Sequence, residues 1–280
     1  MKLLNERAEI FVPDGVSVED ALRRTTHMSV AAHQDDMEIM AYDGIAQCFG
    51  RADTWFTGVV VTNGSGSPRS GLYADYSDDE MMRIRREEQK KAAYIGEYSA
   101  VILLDYPSGK VKDPADTSVG NELSMILDAA RPRYLYTHNP ADKHDTHVAV
   151  TVKTLKTLRK LDILPEKVYG CEVWRSLDWM RDDDKVKFDV AGHDNLASAL
   201  LGVFDSQICG GKRYDLATAG RRLANATYAE SHAVDLTDAM IFAMDLTPLI
   251  KDQNADIGAY VLDHIDRFKQ DVTDRIGRFV

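Results

Sequence analysis

The amino-acid sequence predicts an α/β fold, a mostly parallel sheet flanked by helices, and three observations carry that prediction. Short runs of β-branched and aromatic residues alternate with longer amphipathic segments. The runs are apolar enough to be covered on both faces. Polar clusters fall directly after them, where open α/β sheets gather their ligands.

Strands are predicted at 29–32, 58–62, 100–104 and 133–137, with further strands at 168–173 and 187–190. Between the first four, helices are predicted over 36–49, where Met40, Ile45 and Phe49 share a stripe, over 79–96 with its charged face, and over 117–130, which stops before Pro132. Residues 145–160 place Val148, Val152, Leu155 and Leu158 at helical spacing, and later helices are predicted at 196–204, 216–228 and 257–275. No repeat interrupts the pattern, so one domain over 1–280 is expected, with a helical extension at 233–280.

The net charge of −11 opposes nucleic acid or an anionic membrane as principal partner and favours a small-molecule substrate. Cys48, Cys171 and Cys209 are odd in number and scattered, against both a disulfide framework and a cysteine-rich zinc module. The N-terminal residues lack an apolar stretch of signal-peptide length. The most apolar late segment, 239–250, is broken by Asp245, so no membrane insertion and a cytoplasmic location are expected. Homo-oligomerisation is left open.

Three polar clusters would share one rim of the sheet: His33 to Asp36 after the first predicted strand, Asn63 to Ser67 after the second, and His138 to His147 after the fourth. His33 and Asp36, at i and i+3 across a strand-to-helix turn, can converge on one ion, with His147 as third ligand. Two nitrogens and one oxygen suit Zn²⁺ and leave a position for water, the arrangement of a catalytic site. Other divalent ions fit the same set. Asp35 would then accept the proton of attacking water, and His144 would stabilise an oxyanion or protonate a departing amine. Asp35 and Asp36 alone read as helix caps, and His33 alone as a solvated or core residue; their conjunction with H-x-x-H points to the metal.

At these residues the chain resembles the LmbE-like, or PIG-L, family of N-acetylglucosaminyl deacetylases, whose opening motif A-H-P-D-D-x-E appears as Ala32-His33-Gln34-Asp35-Asp36-Met37-Glu38. The likeness continues through Thr62-Asn63-Gly64, Arg85 to Ala93, Tyr106 to Gly109, His144 to His147, Asp205-Ser206-Gln207 and Tyr228-Ala229-Glu230, covering about 28–232. The resemblance implies a Rossmann-like sheet, zinc at His33, Asp36 and His147, Asp35 as general base and His144 as acid or electrophilic partner. Two departures stand out. Gln34 replaces the motif's proline, and Thr146 stands where the family commonly has an aspartate beside its first histidine, with Asp142 or Asp145 as substitutes.

For substrate contact the candidates are Asn63, Arg69 in the glycine-rich loop 64–71, and Arg85, which the resemblance favours. Trp174 and Trp179 could stack on a sugar but read first as packing residues, and Glu38 as a residue that orients the turn. The expected activity is zinc-dependent removal of an N-acetyl or other N-acyl group from an amino sugar. The alternatives are hydrolysis of a different amide or a phosphoester, and a non-catalytic sugar-binding module.

Overall fold

The computed structural model describes residues 1–161 and 164–280. Eight strands form one sheet: β1 (Glu9–Phe11), β2 (His27–Ala31), β3 (Phe56–Thr62), β4 (Ala100–Tyr106), β5 (Tyr134–His138), β6 (Lys167–Cys171), β7 (Val186–Asp189) and β8 (Met240–Asp245), in the order β1-β4-β3-β2-β5-β6-β8-β7. The five strands β2 to β6 run parallel, while β1, β7 and β8 pair antiparallel at the two sides. The first helices are α1 (Val18–Arg23), α2 (Asp36–Met40), α3 (Tyr42–Cys48), α4 (Asp78–Ile95), α5 (Ser108–Lys112) and α6 (Ser118–Ala130). They are followed by α7 (Asp145–Leu161), α8 (Asp194–Gly202), α9 (Asp205–Ile208), α10 (Tyr214–Tyr228), α11 (Thr247–Lys251) and α12 (Ile257–Gly277).

Every residue of β2, β3 and β4 is buried, which is why these strands read as continuous apolar runs. Alternate side chains feed two cores. Val59, Val61, Ile102 and Leu104 point to the face covered by Leu123, Leu127, Leu155 and Leu158 of α6 and α7. Val60, Val101 and Leu103 point to the opposite face, against Met37, Ile45, Ala92 and Leu200 of α2, α3, α4 and α8. Gly58 is required here, because a Cβ on it would stand 2.4 Å from the Met37 sulfur.

The helix predicted over 36–49 is two helices. The Arg222 guanidinium donates to the carbonyls of Glu38 (2.8 Å) and Ile39 (3.3 Å), taking acceptors that a continuous helix would use, and α2 ends before Ala41. Residues 240–245, inside the expected helical extension, form strand β8 between β6 and β7. A short apolar run does not distinguish strand from helix by its period. The edge strand β1 was likewise not anticipated. No helix among the described residues is long and apolar enough to cross a membrane.

The order of strand addition reverses at the centre of the sheet: β2, β3 and β4 step one way, then the chain returns to place β5 on the other side of β2. The crevice beyond the carboxyl ends of β2 and β5 is a topological switch point, the place where this architecture leaves room for a ligand.

Candidate metal centre and active site

His33 follows β2, Asp36 opens α2, His138 ends β5 and His147 lies in the first turn of α7, so the switch point brings together residues more than a hundred positions apart. His33 Nδ1 lies 3.2 Å from Asp36 Oδ2 and 3.2 Å from His147 Nε2, and His147 Nε2 lies 3.3 Å from Asp36 Oδ2. A tetrahedral ion with ligand bonds near 2.05 Å separates its ligands by about 3.3 Å, so this triangle has the edges of one face of a zinc tetrahedron. The donor chemistry agrees. Asp142 Oδ2 accepts from His147 Nδ1 at 3.2 Å, which leaves the Nε2 lone pair directed into the triangle. With His33 neutral, two nitrogen lone pairs and a carboxylate oxygen converge there, an arrangement that a cation relieves.

Protonation preferences follow the same geometry. Burial, only partly opposed by Asp36, lowers His33 to about 4 and keeps its imidazole neutral. Burial disfavours the charged form of Asp36, but the imidazoles of His147 and His138 outweigh it and hold the carboxyl well below its ordinary range. Burial would also depress His147, yet Asp36 and Asp142 raise it to about 9. A cation taking the His147 Nε2 lone pair would therefore displace a proton that Asp36 and Asp142 otherwise favour.

His138 had no role in the sequence reading. Its Nε2 accepts the Ala32 N–H at 2.8 Å and lies 3.5 Å from Asp36 Oδ2, while its ring stacks on His147 with centroids 3.8 Å apart. It ties the carboxyl end of β5 to that of β2. Asp36, His138 and His147 form one possible ligand group and His33, His144 and His147 another, each with ligand atoms within 4.8 Å. The signal for His138 was its position as the last residue of a buried strand.

Asp35 has φ 89°, a left-handed conformation uncommon for a residue with a Cβ, and its carboxylate lies 3.8 Å from the Arg85 guanidinium. The Gln89 side-chain carbonyl accepts the Asp35 N–H at 3.3 Å. Burial raises the Asp35 carboxyl well above the ordinary range, with Arg85 opposing and Asp36 and Glu38 adding to the shift. Beneath it, Glu38 accepts from Gln89 (2.7 Å) and Tyr98 (2.8 Å) and is pushed by burial to about 7.

The Asp142 carboxylate, considered as a partner for the His144 ring, instead accepts from the backbone N–H of His144 and Trp174 and from the ring of His147. His144 stacks on His147 at 4.6 Å between centroids; its Nδ1 is buried without a hydrogen-bond partner among the described residues, and burial together with His147 lowers its pKa. Thr146 is buried beside His147 at the start of α7.

A cavity of about 410 Å³ opens over this cluster, walled by His33, Asp35, Asp36, Arg85, His144 and Trp174. Trp174 meets Tyr214 edge-on and carries the Lys212 and Lys143 ammonium groups 5.1 and 5.9 Å from its ring centroid. Trp179 packs elsewhere, against the core under α6 and α7. Arg85 reaches the cavity but donates to the carbonyls of Gln34 (2.7 Å) and Gly64 (3.3 Å) and to the Ser67 hydroxyl. Gly64, at φ 75°, permits that clamp: a Cβ there would meet Gln34 Oε1 at 2.5 Å and Arg85 Cδ at 3.0 Å. Arg69 and Asn63 are not on the cavity wall. Arg69 donates to the carbonyls of Tyr76 and Ser65 and to Asp78, and Asn63 accepts from the Ser65 N–H.

Residues 28–158 match a family model described as PIG-L: GlcNAc-PI de-N-acetylase. No curated protein matches the chain. Among solved structures, the conserved protein TT1542 from Thermus thermophilus is 18% identical over 78% of this chain and 93% of its own, with TM-score 0.58. GalB, the 4-carboxy-2-hydroxymuconate hydratase from Pseudomonas putida, is 16% identical over 78% and 95%, TM-score 0.56. The N,N'-diacetylchitobiose deacetylase from Pyrococcus horikoshii is 14% identical over 78% and 83%, TM-score 0.55. Such likenesses establish a shared fold.

Proposed function

With residues 28–158 assigned to the PIG-L family, we propose that the chain is a zinc-dependent hydrolase removing an N-acetyl or other small N-acyl group from an amino sugar. The observation that carries this reading is the triangle of His33 Nδ1, Asp36 Oδ2 and His147 Nε2, set beside a second carboxylate, Asp35, that faces the same cavity.

A divalent ion in the triangle would supply a Lewis acid for the amide carbonyl and a means of acidifying water. Asp35 is then the base: burial raises its carboxyl well above the range of an exposed aspartate, which strengthens it as an acceptor of a proton from water. His144, whose ring meets that of His33 edge-on with centroids 4.9 Å apart, would donate to the developing oxyanion or to the departing amine. Arg85 acts indirectly, fixing the Gln34 and Gly64 backbones while its charge steadies Asp35. The Trp174 face supports a sugar ring, and Lys112 and Lys212 border the cavity as donors to its hydroxyls. Arg69 and Asn63 would contact substrate only if the 64–71 loop rearranged.

The fold is compatible with other chemistry, since GalB is named a hydratase. The test is acetate release from a panel of N-acetyl amino sugars, after chelation and after reloading with Zn²⁺. Release abolished by chelator and restored by metal is expected. A metal-loaded protein inert on the whole panel would end the substrate reading while leaving the metal centre standing.

A further inference from the structure

Helix α12 faces the body through Ile257, Tyr260, Val261 and His264, of which Val261 and His264 are buried. A second apolar stripe, running along it and into the turn after its end at Gly277, has no partner among the described residues. Leu262, Ile265, Val272, Ile276 and Phe279 are all exposed, and with Lys269 they recur at spacings of 3, 4, 3, 4 and 3 residues, the a and d positions of a heptad repeat. From Val272 onward every residue is exposed, so this half stands clear of the body, and Phe279 is 88% accessible. Beside Leu262, at the other end of the stripe, lies an open hollow of about 640 Å³ bordered by Val148, Val152, Ile257 and Val261.

We propose that α12 is a homodimerisation element in which two copies pack antiparallel about a two-fold axis, the projecting half of each covering the docked half of the other. In this register Leu262 lies opposite Phe279 of the second copy, Ile265 opposite Ile276, and Lys269 opposite Val272. Phe279, the aromatic residue of the stripe, enters the hollow beside Leu262, and the same contact repeats by symmetry.

Three features favour a second copy of this chain in this orientation. A parallel in-register pair would set Lys269 against Lys269 in the seam and leave the hollow unfilled. Charge is complementary only when the halves cross. Residues 257–268 carry two aspartates against one arginine, a net −1, whereas 269–280 carry Lys269, Arg275 and Arg278 against Asp271 and Asp274, a net +1. The area of these side chains alone approaches that of a small specific interface. Phe279 offers roughly 150 Å² and the four aliphatic residues on the order of 60–100 Å² each, so two copies bury roughly 900 Å² of side chain alone, close to the ~1,000 Å² of a specific interface.

The 280-residue chain should sediment as a particle of twice its 31.3 kDa mass. Ile276→Asp with Phe279→Asp should weaken self-association roughly tenfold or more, with far-UV circular dichroism unchanged because neither side chain is in the core. Orientation is read separately. In a Cys209→Ser background, the double variant Leu262→Cys, Phe279→Cys should oxidise to a covalent dimer, while each single cysteine variant should not. A monomer at all concentrations, a dimer unaffected by the two aspartates, or disulfide formation by either single variant would each overturn the proposal.

Discussion

Two neighbouring loops at the same rim of the sheet differ in where their polar atoms point. The loop after β2 turns sharply through a left-handed Asp35, so that His33, Asp35 and Asp36 face the cavity. The loop after β3 folds upon itself: Asn63 accepts from Ser65, Arg69 holds Ser65, Tyr76 and Asp78, and the clamp on Gly64 comes from Arg85 outside it. One loop presents chemistry and the other maintains shape. A short polar motif fixed by a tight turn has few ways to satisfy itself internally, whereas a long glycine-rich loop has many carbonyls to offer its own arginine.

The largest expected effects test the presenting loop. His147→Ala removes one corner of the triangle and leaves Asp36 without its main counter-charge, so metal content measured by mass spectrometry should fall to near background and turnover with it. Asp35→Asn should retain the metal and lose about 10²–10⁴ in kcat, the usual contribution of a positioned base. Equal metal loss in both variants would show that Asp35 is a ligand and that ligand and base roles are not divided as proposed.

How far these assignments were legible in the sequence depends on what each residue needed. The parallel strands β2 to β5 and the helix α6 were readable because both faces of the strands are buried and the helix keeps an apolar stripe, whereas the buried face of α4 carries Arg85, Glu88 and Gln89 and that of α7 is rich in threonine. The break between α2 and α3 was not readable, since it depends on Arg222 arriving from nearly two hundred residues away. The convergence of His33, Asp36 and His147 was foreseen from strand ends and motif spacing. The partnership of Asp142 with His147 was not, because the four intervening residues of loop and helix start conceal which ring the carboxylate meets.

That partnership is the next largest effect. Asp142 fixes the His147 tautomer, so Asp142→Asn should weaken metal affinity about 10–100-fold without removing a ligand. The pH dependence sharpens the point. In the metal-free protein His147 is raised from its ordinary 6.5 to about 9, so its contribution to stability is complete below pH 6.5 and is lost as pH rises through about 9. The thermal midpoint of metal-free protein should therefore fall across that window. Metal uptake near pH 7 should displace the His147 proton, releasing about one proton or more per ion, measurable by calorimetry in buffers of different ionisation heat. Uptake without proton release would mean that His147 does not ligate the ion.

The smallest effect is expected in the loop that maintains shape. Arg69 is partly exposed, and its ion pair with Asp78 lies at the surface, where such a pair contributes about 0–1 kcal/mol. Arg69→Ala also removes donors to the Ser65 and Tyr76 carbonyls, which can turn to water in so open a loop. A loss of about 1 kcal/mol in stability and a KM within about twofold of the parent are therefore expected. A tenfold rise in KM at unchanged stability would give the opposite answer. It would mean that the guanidinium leaves its own loop to grip the substrate, and that the two loops differ only until substrate arrives.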